Sequence, residues 1–472
     1  MRIGETGMSA LKRTALRALR ALAIFVGMIA LFIVLMTLVY SLPQDGIIAN
    51  AGKSAAVLCG EGSPARPIID DLAYVLDNAT DALMIDTAIR EPSDSALTAA
   101  VANVHEGAVT SEGRADTLQG LADTVAGGRQ APVRYAYYWH GYQVALRPAL
   151  MILDYTQLRY LNVLALTALG WIVALGLQRD AGGIAATAFV FALAVCGYAV
   201  VPMALQYANM TYLMLAATLV LIAMLRAGTF QHMNLEFFLV VGMLTSFFDL
   251  LTTPLLTLCI PLAVLLIITS KSVKHPLRAH LAEIVKLAAM WCVGYAGAWV
   301  SKWVLASAVL HRDYVAIAVK QVLFRTGMDG RSVGPVEALV RNVARLTPPG
   351  QGAWPSLGAA ESVGLALGIL AVALLVRYRR PRTEIARAFV PMLLVPAPYV
   401  WFVVASNHSA IHSWFTYRIQ LVSVFVVIYL LLSIPDMDRV RRAYSPLLVW
   451  RRAASAEAQE PSPMEGRSHG IK

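Results

Sequence analysis

The chain has 472 residues, 58% hydrophobic and 14% charged, with a formal net charge of +10 and a mean hydropathy of +0.61. A soluble domain of this length lies well below that hydropathy, so composition reads as a polytopic membrane protein. The excess positive charge sits in short clusters beside apolar runs, the pattern of cytoplasmic membrane edges, which argues against a nucleic-acid partner.

Lys12, Arg13, Arg17 and Arg20 precede the first apolar run, about residues 21–42. That run is long for a signal peptide and has no clear cleavage site, so it reads as an uncleaved first span. Later basic borders fall at Arg179, at Arg226, at Lys271, Lys274 and Arg278, at Arg377 to Arg387, and at Arg439, Arg441 and Arg442. Each interval has room for two crossings, which predicts about ten transmembrane helices in five hairpins, an all-α polytopic fold. Lys/Arg excess then predicts cytoplasmic N- and C-termini, with every hairpin tip extracytoplasmic.

Span one leads into a large polar loop, about 43–157. Within it, residues 68–89 carry apolar residues at helical spacing and predict one helix. Residues 91–130 read as helix fragments and turns. Residues 135–153 are aromatic and amphipathic and are expected along the outer interface before span two. Spans two, three and four are expected at about 158–178, 182–202 and 209–225.

The next hairpin is constrained by length. About 45 residues separate Arg226 from Lys271, and two crossings at about 1.5 Å rise per residue consume nearly all of them. The turn must be tight and falls at Phe248-Asp249-Leu250-Leu251-Thr252-Thr253-Pro254, with Pro254 opening the returning helix. Spans seven and eight, about 282–308 and 361–377, bracket a second loop at 309–360. The last hairpin, about 388–406 and 418–434, has its tip at Asn407 to Arg418. From Pro435 the chain is a cytoplasmic tail, basic and then polar, expected to be disordered from about 453. No internal repeat stands out. Three of the four cysteines (Cys59, Cys196, Cys259, Cys292) lie in apolar spans, without CxxC or ligand spacing, so neither a disulfide framework nor a zinc site is expected.

Four constellations carry chemistry. Asp77 and Asp81 would share a helix face at i,i+4, and a metal ion, a sugar hydroxyl network or a shared proton would offset their repulsion; the bland alternative is a solvated face. Tyr138-Trp139-His140-Gly141-Tyr142 with Arg147 offers stacking faces, a histidine and an anion-binding guanidinium, or merely an anchor belt. In the last tip, His408 and His412 are i,i+4, a metal-ligand spacing but without HExxH. Tyr417 and Arg418 follow, and Arg418 suits a phosphate. Asp249 with Thr252 and Thr253 would join these groups at the outer surface, or serve only as a cap.

One long, acidic first loop, about ten spans and a late second loop resemble the GT-C class of integral-membrane glycosyltransferases. The segments DNATDALM, YWHGYxxxLRP, FFDLLTTP and NHSxIHxWFTYR are similar to those of a poorly characterised group of bacterial polytopic membrane proteins. The resemblance implies transfer of a hexosyl or pentosyl unit from a polyprenyl-phosphate donor to a cell-envelope glycan or lipid acceptor. It implies a site on the extracytoplasmic side of the cell membrane, in contact with membrane lipids. Asp77, Asp81 or Asp249 would serve as general base. Trp139, His140, Arg147, His408, His412, Tyr417 and Arg418 would bind substrate. No cofactor is assigned; a divalent metal (Mg or Mn), used by some of the class, is the one candidate. The competing expectations are a transporter or flippase of lipid-linked glycan, with broken helices near the midplane, and a non-enzymatic membrane scaffold.

Overall fold

The computed structural model describes residues 2–66, 74–272, 276–328, 333–346, 368, 376–436, 438–440 and 442–443. Most of the expected crossing at 361–377, Asp70, Asp71, Asp329, Arg331, residues 347–350 and nearly all of the tail lie outside them.

The protein is mostly helical, and among the described residues six helices are long and apolar enough to cross a membrane. The first, α1 (Arg2–Tyr40), delivers the chain to a layered loop region of α2 (Asp45–Glu61), α3 (Asn78–Asp86), α4 (Ala96–Ala102), β1 (Val104–Glu106), α5 (Thr117–Gly127), β2 (Pro132–Arg134) and α6 (Gln143–Leu150). The strands pair antiparallel, with Val104 opposite Arg134. Then come α7 (Tyr155–Asp180), α8 (Gly183–Val195), α9 (Leu205–Arg226), α10 (Phe230–Phe248), α11 (Leu255–Ser272) and α12 (Leu277–Leu310), with α13 (Tyr314–Thr326) and α14 (Pro335–Ala344) crossing the loop end. The last hairpin rises through helical pieces from Arg382 to Val404 and descends from Ser413 to Ser433.

Side chains mark several helix starts. Asp154 accepts from Gln157 N while the Gln157 side chain accepts from Asp154 N, a capping box that opens α7. Ser95, Asp116 and Asp313 cap α4, α5 and α13 by accepting from the backbone N–H of Thr98, Gln119 and Ala316. The expected turn at 248–254 is present: Asp249 ends α10 and α11 begins just after Pro254.

The tightest helix pair is α10 against α12. A Cβ on Gly242 would lie 2.1 Å from the Trp291 carbonyl oxygen, and one on Gly294 would lie 2.1 Å from that of Leu239. Two glycines facing opposite ways let the backbones touch, the small-residue device of membrane helix pairs. Thr245, Thr257 and Trp291 tie α11 to this pair, with Thr245 Oγ1 to Thr257 Oγ1 at 2.6 Å and Trp291 Nε1 to Thr257 Oγ1 at 3.2 Å.

Contacts place the first loop and the hairpin bends at one end of the bundle. Asp81 bonds the start of α9, Gly141 N donates to Phe247 O (2.7 Å) at the end of α10, Lys302 Nζ on α12 donates to Val101 O (2.8 Å), and His408 Nε2 meets Leu251 O (2.8 Å). At the other end Arg226 pairs with Asp180 (2.7 Å), and Arg380 donates to Pro435 O (3.2 Å).

Three local expectations need correction. Residues 68–89 are not one helix. Leu76 N bonds Ala65 O (2.8 Å) in an extended bridge, and α3 starts only at Asn78 because the Asp77 carboxylate holds Thr80 N (3.2 Å) as an N-cap. Segment 135–153 does not lie along a lipid surface: Tyr138, Trp139, His140, Tyr142 and Arg147 are all buried within the protein. The span expected at 182–202 is not one continuous helix, since α8 has 13 residues and is followed, after Cys196 and Gly197, by a 3-10 turn over Tyr198–Met203.

Candidate functional site

Asp81 is fully buried, and its carboxylate accepts from the Tyr155 hydroxyl (2.6 Å), Leu205 N (2.8 Å) and Gln206 N (3.0 Å). The residue before α9 is Ala204, which has no side chain to cap it, so Asp81 supplies the missing cap from the first loop. Burial pushes its carboxyl up to about 6, against the pull of the Tyr155 hydroxyl and the two amides. Asp77 is not on the same helix face as expected, because it is the cap that precedes the helix. Its second oxygen takes the Thr80 hydroxyl (2.9 Å), and the Trp414 indole lies beside it. Burial also raises the Asp77 carboxyl above the ordinary carboxylate range, opposed by Thr80 and Trp414. The like-charge problem posed by the spacing is therefore met by protein donors.

Arg418 stacks over Tyr207, with its guanidinium carbon 4.4 Å from that ring's centroid, and over the Tyr417 ring at 4.9 Å. Its Nη1 donates to Trp414 O (3.0 Å). The Tyr417 hydroxyl donates to Cys196 O (3.1 Å), at the break after α8. Asp77 and Asp81 both lie beside Tyr207. Arg418, Tyr207, Cys196, Thr252 and Thr253 line one small cavity of about 20 Å³, room for about one water molecule. The structure thus gathers Asp77, Asp81, Tyr417 and Arg418 around Tyr207, with the tight turn contributing its two threonines. The irregular backbone at Cys196 and Gly197 lies where it borders this cavity, the place such backbone is tolerated in a membrane.

Asp249 itself is fully buried at the end of α10. Its Oδ1 accepts Thr252 N (2.8 Å), while Oδ2 has no hydrogen-bond partner among the described residues. Burial pushes this carboxyl up to about 7, held back by the amides of the turn. It does not line the Arg418 cavity.

The remaining expected site residues are held by the protein. Arg147 is buried against backbone: Nε donates to Val39 O (2.8 Å), Nη1 to Ala88 O, and the group stacks 4.3 Å over Tyr40. It therefore closes the C-terminal end of α1. Trp139 donates to Ala298 O (2.7 Å) and packs on Phe32 and Phe247. His140 takes a left-handed backbone (φ 57°) and bonds the Tyr142 hydroxyl (2.7 Å) and Tyr135 O (2.9 Å). Burial, with Lys302 nearby, lowers its imidazole to about 3. His408 and His412 sit with rings 4.8 Å apart. Burial lowers both, His408 well below its usual value and His412 to about 4, so both are neutral. Among the described residues no three His, Cys, Asp or Glu side chains are grouped to hold a metal ion.

Sequence reasoning missed Arg325. From the last turn of α13 it reaches inward to His408 Nδ1 (2.9 Å) and lies 5.6 Å from the centroid of the Tyr138 ring. An arginine at a helix C-terminus is the ordinary dipole partner, so nothing local distinguished it. Also missed was an open apolar groove of about 510 Å³ between α7 and α9, bordered by Met84, Leu161, Asn162, Asn209, Tyr212 and Phe248.

No family model matches the chain, no curated protein is similar to it, and no solved structure matches its fold.

Proposed function

We propose that this protein is a membrane glycosyltransferase with about ten crossings and cytoplasmic termini, working on the extracytoplasmic face. It moves a sugar from a polyprenyl-phosphate donor to a cell-envelope glycan or lipid. The observation that carries this reading is the convergence of Asp77, from the first loop, with Arg418, from the last hairpin, on Tyr207 beside Thr252 and Thr253. Arg418 and the two hydroxyls suit a phosphate, and Asp77, whose carboxyl burial raises above the ordinary carboxylate range, suits an acceptor hydroxyl's proton. The groove between α7 and α9 is the size and polarity of a lipid chain's berth and flanks the helix that carries Tyr207. In this form the cavity has room for about one water molecule, so a donor phosphate requires it to widen.

The interruption of the helix expected at 182–202 favours a second reading, a flippase of lipid-linked glycan. One assay separates them. Proteoliposomes receive a polyprenyl-phosphate sugar labelled in the sugar, and label in acceptor glycan is counted beside label moved across the bilayer. Transfer that falls at least about a hundredfold in Asp77→Asn and Arg418→Gln, with normal thermal unfolding, supports the transferase. Translocation without transfer, or full transfer in both variants, overturns it.

A further inference from the structure

The Arg418 cavity lies at the finish of α8, beside Cys196; a second cavity, of about 350 Å³, lies at the start of the same helix, beside Gly182 and Gly183. Ser270, near the end of α11, borders it, as do Tyr429 and Ser433 of the descending helix Leu421–Ser433. The helical piece Arg382–Ala388 closes the remaining side with Glu384 and Arg387, and Arg380 precedes it. Glu384 and Arg387 share a face by their i,i+3 spacing.

The two arginines differ in what they hold. Arg380 is engaged: Nε donates to Pro435 O (3.2 Å), and Nη1 meets Glu384 Oε2 (3.5 Å). That is the ordinary duty of a basic residue beside a helix C-terminus. Arg387 is partly buried at the same cavity and has no acceptor among the described residues. No side chain caps α8, so its first amides border the cavity with no acceptor inside their own helix. Two arginines and one glutamate leave the lining at a formal +1, a match for an occupant of one net negative charge.

The surroundings identify where that charge comes from. Val190 and Phe191 on α8, and Leu431 and Leu432 on the descending helix, are exposed apolar side chains, the surface a membrane helix shows to acyl chains. A basic cavity between helix ends beside such surface takes a lipid headgroup. Guanidinium donors suit the oxygens of a phosphodiester, and the serine and tyrosine hydroxyls suit a headgroup alcohol. The volume sits at the small end of ligand pockets, ~300 to 1,000 Å³. A choline headgroup fits worse, because it brings its own cation to the arginines.

We propose that this cavity binds the headgroup of one anionic phospholipid, of the phosphatidylglycerol type, with Arg387 as the main partner of its phosphodiester. Under the topology proposed above, the lipid belongs to the cytoplasmic leaflet. It ties the start of α8 to the last hairpin, two elements that Tyr417 and Cys196 join at the opposite end.

The test uses the full chain in neutral detergent micelles and reads the thermal unfolding midpoint against added lipid. The probes are dioctanoyl phosphatidylglycerol, dioctanoyl phosphatidylcholine, dioctanoylglycerol and, without acyl chains, glycerol 3-phosphate. Saturable stabilisation by phosphatidylglycerol is expected, with about tenfold more phosphatidylcholine needed for the same shift. Arg387→Gln should raise the half-saturating phosphatidylglycerol by about tenfold. Its lipid-free midpoint should match the wild type, since the side chain has no acceptor among the described residues to lose. Arg387→Lys should restore part of the affinity, and Arg382→Gln, exposed on the same helical piece, should leave it unchanged. Equal response to the two phospholipids, full stabilisation by dioctanoylglycerol or by glycerol 3-phosphate at the same concentration, or an unchanged titration in Arg387→Gln each overturn the proposal.

Discussion

Neutralising Asp81 by Asp81→Asn should remove a defined slope from the pH dependence of stability. The folded chain holds this carboxyl at about 6 against an ordinary 3.8, a difference worth about 3 kcal/mol. Because the folded value is the higher one, the fold favours the protonated form. The contribution is complete below about pH 3.8 and is lost as pH rises through about 6. Asparagine has no titrating proton: its carbonyl oxygen serves Gln206 N or Leu205 N and its amide faces the other, a cost that does not change with pH. Wild type should therefore lose about 3 kcal/mol between about pH 4 and 6.5 that Asp81→Asn does not lose. Asp249, pushed up to about 7, adds a later fall of the same sign, and Asp249→Asn removes that one separately. Asp81→Ala differs from both, since it orphans two buried amides and a hydroxyl at about 1–3 kcal/mol each at any pH. Thermal unfolding in detergent micelles across this pH range reads all four proteins. Parallel curves for wild type and Asp81→Asn would refute the assignment of Asp81 as a buried, protonation-dependent cap.

Further outcomes follow from the packing. Gly242→Leu or Gly294→Leu must push α10 off α12, and titration with a denaturing detergent should show a loss of about 3 kcal/mol or more, with Gly→Ala at either site already harmful. Arg147→Met takes the guanidinium donors from the Ala88 and Val39 carbonyls, leaving Val39 O only Leu42 N, and should cost about 2–4 kcal/mol, while the affinity for lipid-linked sugar measured on the surviving fold stays unchanged. Lys302→Met loses the bond to Val101 O and should speed hydrogen exchange of α4 more than that of α12. With His412 held to about 4 and His408 well below its usual value by burial, the transfer rate should show no limb near the ordinary histidine value of about 6.5. A limb there that vanishes in His412→Gln would contradict their buried, neutral state.

The gathering of distant segments at one end was legible because spacing alone dictates it. The 45-residue interval from Arg226 to Lys271 leaves the tight turn nowhere to fall but near Asp249, and the turn is there. What sequence could not convey was the partner of each polar group. Asp77 and Asp81 read as a shared face because 3.6-residue periodicity ignores capping, and an aspartate before Asn-Ala-Thr starts a helix as readily as it continues one. The YWHGY segment read as a surface belt because amphipathic aromatics look alike at a lipid boundary and in a protein seam. Gly141 settled it: a Cβ there would lie 2.3 Å from the Phe247 ring, so the segment had to press on α10. Arg325 stayed invisible because its importance comes from His408, 83 residues later.

The trans-cap that Asp81 gives to α9 has a practical corollary for anyone wishing to cut this molecule apart. The region from α2 to α6 is stitched to the bundle through Asp81, Trp139, Arg147 and Lys302, each bonding backbone on the opposite side of the seam. Expressed alone as a soluble fragment, that region would present raw, unmatched polar edges and fail to hold its shape. Deleted from the membrane part, it would leave α9 fraying at its first turn. Loop region and helical bundle are one cooperative unit, and antibodies or inhibitors raised against the isolated loop would meet a shape that the intact protein never displays.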